Sequence, residues 1–183
     1  MRDVAIIGRA RSGKDSVGAR LVNRYGYTRL AFADQLKDMA LEINPLVPTS
    51  PGVHVRLHRL VMDVGWEYAK ETYPEVRRIL QHSGQTVRRY DRDFWVRALA
   101  ERALECQFLG KPVVVTDVRY PNEADTLRVM GFRLVRIVRP SLGDLPEDAH
   151  ESETALEGYP VGVTILNNAT LEDLYAHADS IAH

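Results

Sequence analysis

A glycine-rich segment near the start of the chain has the residue types and the spacing of a phosphate-binding loop. It reads Gly8-Arg9-Ala10-Arg11-Ser12-Gly13-Lys14-Asp15-Ser16 and directly follows the apolar run Val4-Ala5-Ile6-Ile7. Its two glycines allow successive backbone N–H groups to point at one anion, and Lys14 reaches outer phosphates from the start of a helix. The segment predicts a binding site for a nucleoside triphosphate.

Three oxygen-bearing side chains are candidates for holding magnesium beside this loop. The position after the loop lysine usually carries Ser or Thr, but here it is Asp15, and the hydroxyl follows at Ser16. A later apolar strand ends in Thr116-Asp117, and a carboxylate at such a strand end commonly holds magnesium. We therefore predict that Asp15, Ser16 and Asp117 hold the metal, directly or through water.

The composition predicts one soluble domain. The 183 residues are 45% apolar, enough for one core, and no stretch approaches the roughly 20 apolar residues that span a bilayer. We expect a cytoplasmic protein with no membrane partner. Its net charge of −1 argues against a nucleic-acid partner, while a homodimer is compatible with the sequence. The single cysteine, Cys106, is predicted to be a buried thiol.

Strand patterns alternate with helical patterns along the chain. The predicted strands are Val4–Ile7, Tyr27–Phe32, Pro112–Thr116, Phe132–Val138 and Val161–Leu166. Strands that alternate with helices form a parallel sheet covered on both faces, with ligands at the carboxyl ends of the strands. The predicted fold class is therefore α/β, a three-layer sandwich around a parallel sheet of about five strands.

The second and third strands lie about eighty residues apart, far more than a crossover needs. Residues 33–110 are therefore predicted to be a helical insertion within a single domain that spans 1–183. Helical spacing covers Asp34–Ile43, Leu57–Tyr73, Pro74–Tyr90 and Phe94–Phe108. The last of these carries an apolar stripe of Phe94, Trp95, Ala98, Leu99 and Leu104. Asn44 to Gly52 and Pro140 to Pro146 are predicted loops.

The insertion is rich in arginine and is the predicted site of a phosphorylated acceptor. Lys37 follows the second strand and can meet a phosphate, and Asp34 lies beside it unless it simply caps the helix. The stretch Leu80–Trp95 combines amide, hydroxyl, guanidinium and aromatic groups. An arginine in it can hold a monophosphate through two parallel hydrogen bonds. Trp95 itself is more typical of a core than of a stacking surface.

The residues after the third strand favour phosphoryl transfer over hydrolysis. Hydrolysing ATPases usually place a water-activating glutamate after the strand-end aspartate, whereas Val118 follows Asp117 here. Arg119 would project toward the transferred group and neutralise charge on its oxygens. Asn122 or Glu123 begins the next helix and is predicted to cap it.

Together these motifs resemble those of bacteriophage deoxynucleoside monophosphate kinases, which are members of the nucleoside monophosphate kinase group. The resemblance spans most of the chain and rests on GRARSGKDS at Gly8, FADQLK at Phe32, LQHSGQTVRRYDRDFWVRAL at Leu80, TDVRYPNEAD at Thr116 and HESETAL at His150. The aspartate after the loop lysine, the TDVRYPNEA segment and the His-x-Ser-Glu element are its most specific parts.

The resemblance implies a P-loop kinase fold that transfers the γ-phosphoryl group of ATP to a deoxynucleoside monophosphate with magnesium. A phage-encoded enzyme of this kind would act in the host cytoplasm. The resemblance also implies that the Gly8 to Ser16 loop with Lys14 holds ATP and that Asp117 assists the metal. On the acceptor side it implies Asp34, Arg88, Trp95, Arg119 and Glu153.

The chain departs from adenylate-kinase-like enzymes in its lid. Those enzymes close an arginine-bearing lid over the phosphates, whereas Ser141 to Glu153 is acidic and contains no arginine. The catalytic cations are therefore expected to be Lys14 with Arg9, Arg11 or Arg119. Residues 140–154 are either a lid-like loop or a solvated connector. As a lid, the loop would offer His150, Ser152 and Glu153 to a base edge.

Three further alternatives remain open from the sequence. Asn167 lies before the last helix, where adenine could rest against the backbone, although Thr170 as a simple helix cap explains the segment nearly as well. A P-loop kinase for another small phosphorylated acceptor, such as phosphomevalonate, also fits the loop. A nucleotide-binding switch or ATPase fits less well, because the chain has no Asn-Lys-x-Asp motif.

Overall fold

The computed structural model describes residues 1–146 and 150–182, which form two compact units. The first unit combines Met1–Phe32 with the chain from Val96 onward, and the second is Ala33–Trp95. The second unit thus ends earlier than the insertion predicted over 33–110. The chain after Trp95 belongs to the first unit and contributes buried residues such as Val96 and Leu99.

The predicted alternation of strands and helices is present. In chain order the strands are β1 (Val4–Ile7), β2 (Thr28–Leu30), β3 (Leu46–Ser50), β4 (Val53–Arg56), β5 (Val113–Val118), β6 (Arg133–Val138) and β7 (Val163–Leu166). The helices are α1 (Lys14–Tyr25), α2 (Phe32–Ile43), α3 (Leu57–Thr72), α4 (Pro74–Tyr90), α5 (Phe94–Phe108), α6 (Pro121–Val129), α7 (Glu151–Thr154) and α8 (Leu171–Ile181). A short 3-10 helix spans Pro140–Leu142.

The first unit is built on a five-stranded sheet in the order β2-β5-β1-β6-β7, and every neighbouring pair is parallel. This confirms the predicted α/β class and the strand number. All four residues of β1 are buried, as expected for a central strand covered on both faces. Because the strands are parallel, the segments that follow β1, β5 and β6 emerge at one edge of the sheet.

Helix α1 lies against β5 at Gly18. A Cβ added to Gly18 would lie 2.6 Å from Cγ2 of Thr116, and Thr116 is buried. Real Cβ atoms do not approach a neighbour this closely, so a side chain at this position forces the helix or the strand to move. The tight spacing places the amino end of α1 directly over the carboxyl half of β5.

We expect Gly18→Ala to lower the free energy of unfolding by about 1–3 kcal/mol, the usual cost of overpacking a core. This loss outweighs the gain of about 1 kcal/mol in helix propensity from glycine to alanine. Urea denaturation measures the difference. Thr116→Ser removes the opposing methyl, so the double variant should recover most of the loss. A single variant as stable as the parent would mean that α1 and β5 separate at little cost.

An ion-pair cluster joins α1 to the C-terminal helix α8. Arg20 donates two hydrogen bonds to Asp179, each of 2.8 Å, and Arg24 Nε lies 3.7 Å from the same carboxylate. The hydrogen bonds from Arg20, reinforced by its charge, lower the pKa of Asp179 from 3.8 to about 2. These contacts hold α8 beside the helix that begins at the phosphate loop.

The second unit has its own apolar core and contains a hairpin that the sequence did not predict. Strand β3 lies where a loop was expected over Asn44 to Gly52, and it pairs antiparallel with β4. The prediction was wrong because Pro48 and Gly52 are typical turn residues, yet both are tolerated in an isolated two-stranded hairpin. Helix α3 has the expected extent but is kinked at Gly65, where φ is 78°.

For α5 the predicted stripe was correct for Trp95 and Leu99 but wrong for its outer members, and the prediction for Cys106 was wrong. The buried stripe consists of Trp95, Val96, Leu99 and Ala103. Phe94 and Leu104, which the predicted stripe included, are 42% and 56% exposed. Cys106 is half-buried rather than buried. Among the residues that the structure describes, no helix combines the length and apolarity needed to cross a membrane.

Candidate functional site

The phosphate loop connects β1 to α1, and two glycines shape it. Gly8 comes so close to the neighbouring strand that a Cβ would lie 2.6 Å from the Ile137 carbonyl oxygen. Gly13 has a φ of 105°, a conformation that favours glycine. The Ser12 N–H donates to the Arg9 carbonyl at 3.2 Å, which closes the turn between them. The predicted loop therefore lies at the carboxyl end of the central strand.

Lys14 begins α1, and its side chain turns back into the loop. Its Nζ donates to the Arg9 carbonyl oxygen at 2.6 Å, and the residue is only 7% exposed. Burial lowers the pKa of Lys14, and the nearby Arg119 guanidinium lowers it further. Three carboxylates act in the opposite direction, those of Asp15, Glu153 and Asp117. The loop lysine is therefore in electrostatic contact with both predicted metal-binding carboxylates.

The end of β5 places Asp117 and Arg119 in the same unit as the loop. The strand runs to Val118, beyond the predicted end at Thr116, and Asp117 accepts a hydrogen bond from the Phe32 N–H at 2.8 Å. This bond fixes one oxygen of the carboxylate. The side chain of Asp117 is half-buried at the edge of the sheet where ligands are expected.

Glu123 orders the turn that follows β5. It is buried, and its Oε2 accepts hydrogen bonds from the N–H groups of Arg119 at 2.8 Å and Tyr120 at 3.1 Å. The second of these bonds belongs to the capping box at the start of α6, so Glu123 caps the helix as predicted, although the helix begins at Pro121 rather than at Asn122 or Glu123. Because the carboxylate is engaged by these donors, Glu123 holds the backbone from which Arg119 projects.

A carboxylate from the C-terminal part of the chain contacts the phosphate loop. Glu153 forms an ion pair with Arg119, whose Nη1 also lies 3.5 Å from Ser152 Oγ. Oε2 of Glu153 accepts a hydrogen bond from the Ala10 N–H at 2.8 Å. Burial raises the pKa of Glu153, but Arg119, the Ala10 N–H and Lys14 lower it, and the net shift is downward. Glu153 is therefore charged at neutral pH.

A cavity of about 170 Å³ adjoins the loop on the side of β6. Among its lining residues are Gly8, Arg119, Glu153 and two arginines that the sequence did not single out, Arg136 and Arg139. Arg136 donates to two backbone carbonyls, so it has a structural partner. Arg139 immediately follows β6, and the rule that ligands gather at strand ends could have identified it.

The remaining loop candidates have different surroundings. Arg9 Nη1 donates to the Gly143 carbonyl at 2.8 Å, while its Nε is buried without a hydrogen-bond partner. Arg11 is exposed and adopts a positive φ of 61°. The Asn167 amide donates to the Ser12 carbonyl at 2.9 Å, so it supports the loop from outside. Its contact with adenine stays a prediction. Thr170 caps α8 in a capping box, as its alternative role predicted.

The acceptor candidates of the insertion belong to the second unit. Asp34 is the third residue of α2, which begins at Phe32, so it lies inside the first turn and not at the N-cap position. Lys37 Nζ lies 5.8 Å from the centre of the Trp66 ring. Arg88 lies half-buried in the last turn of α4.

Trp95 has a packing position in the second unit. It is buried, its indole N–H donates to the Gly84 carbonyl at 3.4 Å, and its ring meets Phe94 edge to face. Gly84 also allows close packing, since a Cβ there would lie 3.2 Å from Leu36 Cδ2. Packing therefore explains the glycine of the LQHSGQT segment, Gly84, and it explains Trp95 as well.

The donor set at the loop fits magnesium. Within 1–146 and 150–182, no group of three or more His, Cys, Asp or Glu side chains comes together as a metal cage. Magnesium rarely needs such a cage, because it usually binds one or two carboxylates together with water and substrate phosphates. Asp117 at the end of β5 and Asp15 with Ser16 in the first turn of α1 have that character.

The predicted lid-like loop over 140–154 is described only in part. Residues 147–149 lie outside the described residues. Before them, Pro140–Leu142 forms the 3-10 helix. After them, His150 caps α7 by accepting the Ser152 N–H at 3.2 Å, and its Nδ1 lies 2.9 Å from Ser152 Oγ. Two of the predicted residues, Ser152 and Glu153, are therefore brought to Arg119, while their contact with a base stays a prediction.

Known proteins resemble this chain in sequence and in fold. It is 40% identical over 100 residues to protein ORF77 of Ictalurid herpesvirus 1 (strain Auburn), covering 54% of this chain and 44% of that protein. It is 33% identical over 104 residues to the deoxynucleotide monophosphate kinase of Enterobacteria phage T4, covering 55% and 42%. The matches thus span less than half the length of these two relatives.

Two further similarities extend over nearly the whole chain. One is with a protein of Acanthamoeba polyphaga mimivirus that is provisionally named a deoxynucleotide monophosphate kinase. The two are 27% identical over 191 residues, which covers 94% of this chain and 92% of that protein. The unliganded crystal structure of a sugar kinase from Janibacter sp. HTCC2649 matches with a TM-score of 0.55 and 14% identity, covering 98% and 93%. At this identity the second similarity concerns the fold alone.

A family model described as deoxynucleotide monophosphate kinase matches residues 47–178. The match includes most of the second unit, the end of β5 with Asp117 and Arg119, and the segment with Ser152 and Glu153. The phosphate loop, Gly8 to Ser16, lies before the matched range. The chain therefore belongs to the deoxynucleotide monophosphate kinase family.

Proposed function

We propose that the protein transfers the γ-phosphoryl group of ATP to a deoxynucleoside monophosphate in a magnesium-dependent reaction that gives the diphosphate. One observation carries the proposal. The loop lysine, Arg119 and Asp117 lie at the carboxyl ends of two adjacent strands, and the charges of Arg119 and Asp117 both act on the pKa of Lys14. Family membership supports the choice of a nucleotide kinase.

The residues of the site suit transfer better than hydrolysis. Val118 is buried and cannot activate water, and the carboxylate of Glu123 is held by two backbone N–H groups. Lys14 and Arg119 supply positive charge where the transferred phosphoryl group loses its bond to the donor. Magnesium, when bound by Asp117 and Asp15, would neutralise phosphate oxygens. The buried loop lysine keeps the donor phosphates oriented.

A coupled kinase assay across all deoxynucleoside and ribonucleoside monophosphates tests the proposal. We expect ADP release to depend on a deoxynucleoside monophosphate and to be slow without one. Turnover that needs no acceptor would instead indicate an ATPase or a nucleotide switch. Turnover only with a different phosphorylated acceptor, such as phosphomevalonate, would keep the P-loop kinase but replace its substrate.

The proposed metal ligands predict a changed magnesium requirement. We expect Asp117→Asn and Asp15→Asn each to raise the magnesium concentration that gives half-maximal rate, because each removes a charged oxygen ligand. In Asp117→Asn the new amide oxygen can still accept the Phe32 N–H, so that contact is kept. Magnesium titrations at fixed ATP measure the effect, with Asp38→Asn as an exposed control in the second unit. An unchanged requirement in both variants would place the metal elsewhere.

Arg88 is the proposed clamp for the acceptor phosphate. Arg88→Lys keeps the charge but loses the planar, two-point contact, so it should damage acceptor use far more than ATP binding. We expect kcat/KM for the deoxynucleoside monophosphate to fall at least tenfold, about 1.4 kcal/mol of transition-state stabilisation. The dissociation constant of a non-hydrolysable ATP analogue should stay within a factor of about two.

The neighbouring Arg89 gives a matched control for this variant. It lies in the same last turn of α4 but is exposed, so Arg89→Lys should change neither constant. Loss of acceptor efficiency in Arg89→Lys instead would move the clamp by one residue. Equal losses for donor and acceptor in Arg88→Lys, accompanied by a lower melting temperature, would assign Arg88 a structural role.

A further inference from the structure

A carboxylate of the chain itself, that of Glu153, is bound to the phosphate loop. One oxygen of Glu153 accepts the Ala10 N–H at 2.8 Å, and the other accepts from the Arg119 guanidinium. A loop N–H together with an arginine is the pair of donors that commonly holds a phosphate. The Glu153 carboxylate therefore stands where a phosphate oxygen would form the same two contacts.

The carboxylate leaves other polar groups of the loop without partners. Among the described residues, Arg9 Nε and Ser12 Oγ are buried and lack a hydrogen-bond partner. Ser12 is only 1% exposed, and its hydroxyl lies beside Gly8 inside the loop. Buried donors without partners are costly. A ligand with more oxygens than one carboxylate can satisfy them, whereas Glu153 engages only the Ala10 side of the loop.

We propose that Glu153 is an internal competitor for the donor site, bound in the nucleotide-free protein and displaced by the phosphates of the incoming nucleotide. The proposal rests on the proposed function in that it takes the loop to bind nucleotide phosphates. Glu153 and a phosphate cannot both take the single Ala10 N–H, and their negative charges repel where both lie beside Arg119. An anion that binds the Ala10 N–H must therefore displace Glu153 from it.

This competition has a consequence for a kinase whose acceptor also carries a phosphate. A single phosphate gains little by replacing a carboxylate on the same two donors. A triphosphate extends along the loop to Ser12 and Lys14, so it can offset the cost of displacement. The internal carboxylate thereby keeps weakly bound single phosphates from occupying the donor loop.

Titration calorimetry with two phosphate probes tests the proposal. At fixed ionic strength we compare the binding of inorganic phosphate and of tripolyphosphate to the parent and to Glu153→Gln, whose amide is neutral but can still accept the Ala10 N–H. We expect both probes to bind Glu153→Gln about tenfold more tightly, about 1.4 kcal/mol, because the cost of displacing the carboxylate is shared by all anions. Glu153→Ala, checked for folding by its melting temperature, should show the same direction.

Glu151→Gln is the matched control. Glu151 lies in the same short helix and carries the same charge, but it is exposed and does not line the cavity. A comparable gain in Glu151→Gln would show a general charge effect and overturn the proposal, as would unchanged or weaker binding in Glu153→Gln.

The amide resonance of Ala10 provides a direct readout of the displacement. In the parent, tripolyphosphate should shift it as the Glu153 contact is replaced, and Glu153→Gln should shift it before any probe is added. Neither readout uses kinase turnover. If the protein lacks kinase activity but Glu153→Gln binds the probes more tightly, only the proposed function is contradicted. If the protein is an active kinase and Glu153→Gln gains no affinity, only the role of Glu153 as internal competitor is contradicted.

Discussion

Lys14→Ala should leave a folded protein whose turnover is lower by roughly two to three orders of magnitude, the scale of losing one transition-state contact. The expectation follows from the position of Nζ, which lies inside the loop and donates to the Arg9 carbonyl at 2.6 Å. A buried ammonium acts on phosphate charge with little screening by water. The measurement is kcat with saturating ATP and acceptor, together with the melting temperature.

Lys111 provides the control for this variant. It is exposed just before β5, so Lys111→Ala removes a lysine of the same unit without touching the loop. We expect its turnover to match the parent. If Lys14→Ala retained turnover within a few-fold of the parent while remaining folded, the loop would not be the donor site.

Arg119→Ala should reduce kcat about a thousandfold, because an arginine that stabilises transition-state charge contributes on the order of 10³ or more. Burial lowers the pKa of Arg119, but Glu153, Asp117 and Glu123 raise it, with a net shift upward. The guanidinium thus stays charged in a partly buried position, where its effect on the transferred group is strong. Single-turnover rates with bound ATP measure the chemical step directly.

Two variants separate this catalytic effect from simpler losses. Arg119→Lys keeps one charge and should recover part of the rate. Arg128→Ala removes a more exposed arginine of the same unit and should have no effect on kcat. A large loss of ATP affinity in Arg119→Ala with normal single-turnover chemistry would make Arg119 a binding residue instead.

The sequence was most informative where chemistry is encoded locally. Gly8, Gly13 and Lys14 lie within one short segment, and their backbone demands follow directly from the residue types. The order of strands and helices was also predictable, because each apolar run is short and bounded by turn residues. Asp117 and Arg119 could be singled out because they lie at the end of the strand that the apolar run Val113 to Val115 predicts.

Errors arose where two interpretations of a pattern have similar energies. In α5 the predicted and the buried stripe share Trp95 and Leu99, but the prediction added Phe94 and Leu104, whereas the structure buries Val96 and Ala103. Tertiary packing decides which of these side chains are buried, and no local feature of the sequence indicates which they are. The hairpin of β3 and β4 was missed for a similar reason, since a proline inside a strand resembles a loop.

The contact between Glu153 and Ala10 could not be predicted from one sequence. The two residues are far apart along the chain, and only the pairing of β1 with β6 brings the segment after β6 back to the loop. Glu153 was identified as a residue of the acceptor side, from a motif. Its hydrogen bond to the donor loop emerged from the geometry alone.

The parallel pairing of β1 with β5 has a consequence for how the chain reaches this fold. Val4 and Val114 are partners, so the second unit is synthesised and available to fold before β5 can pair with β1. Lengthening such a closure is thermodynamically cheap, about 0.6 kcal/mol for each doubling of the loop. It is kinetically slow, because distant contacts form late. The apolar core of the second unit comes from one continuous stretch, Ala40 to Leu80. Local folding of that stretch shortens the effective loop between β1 and β5, so the segment that separates these strands also makes their pairing faster.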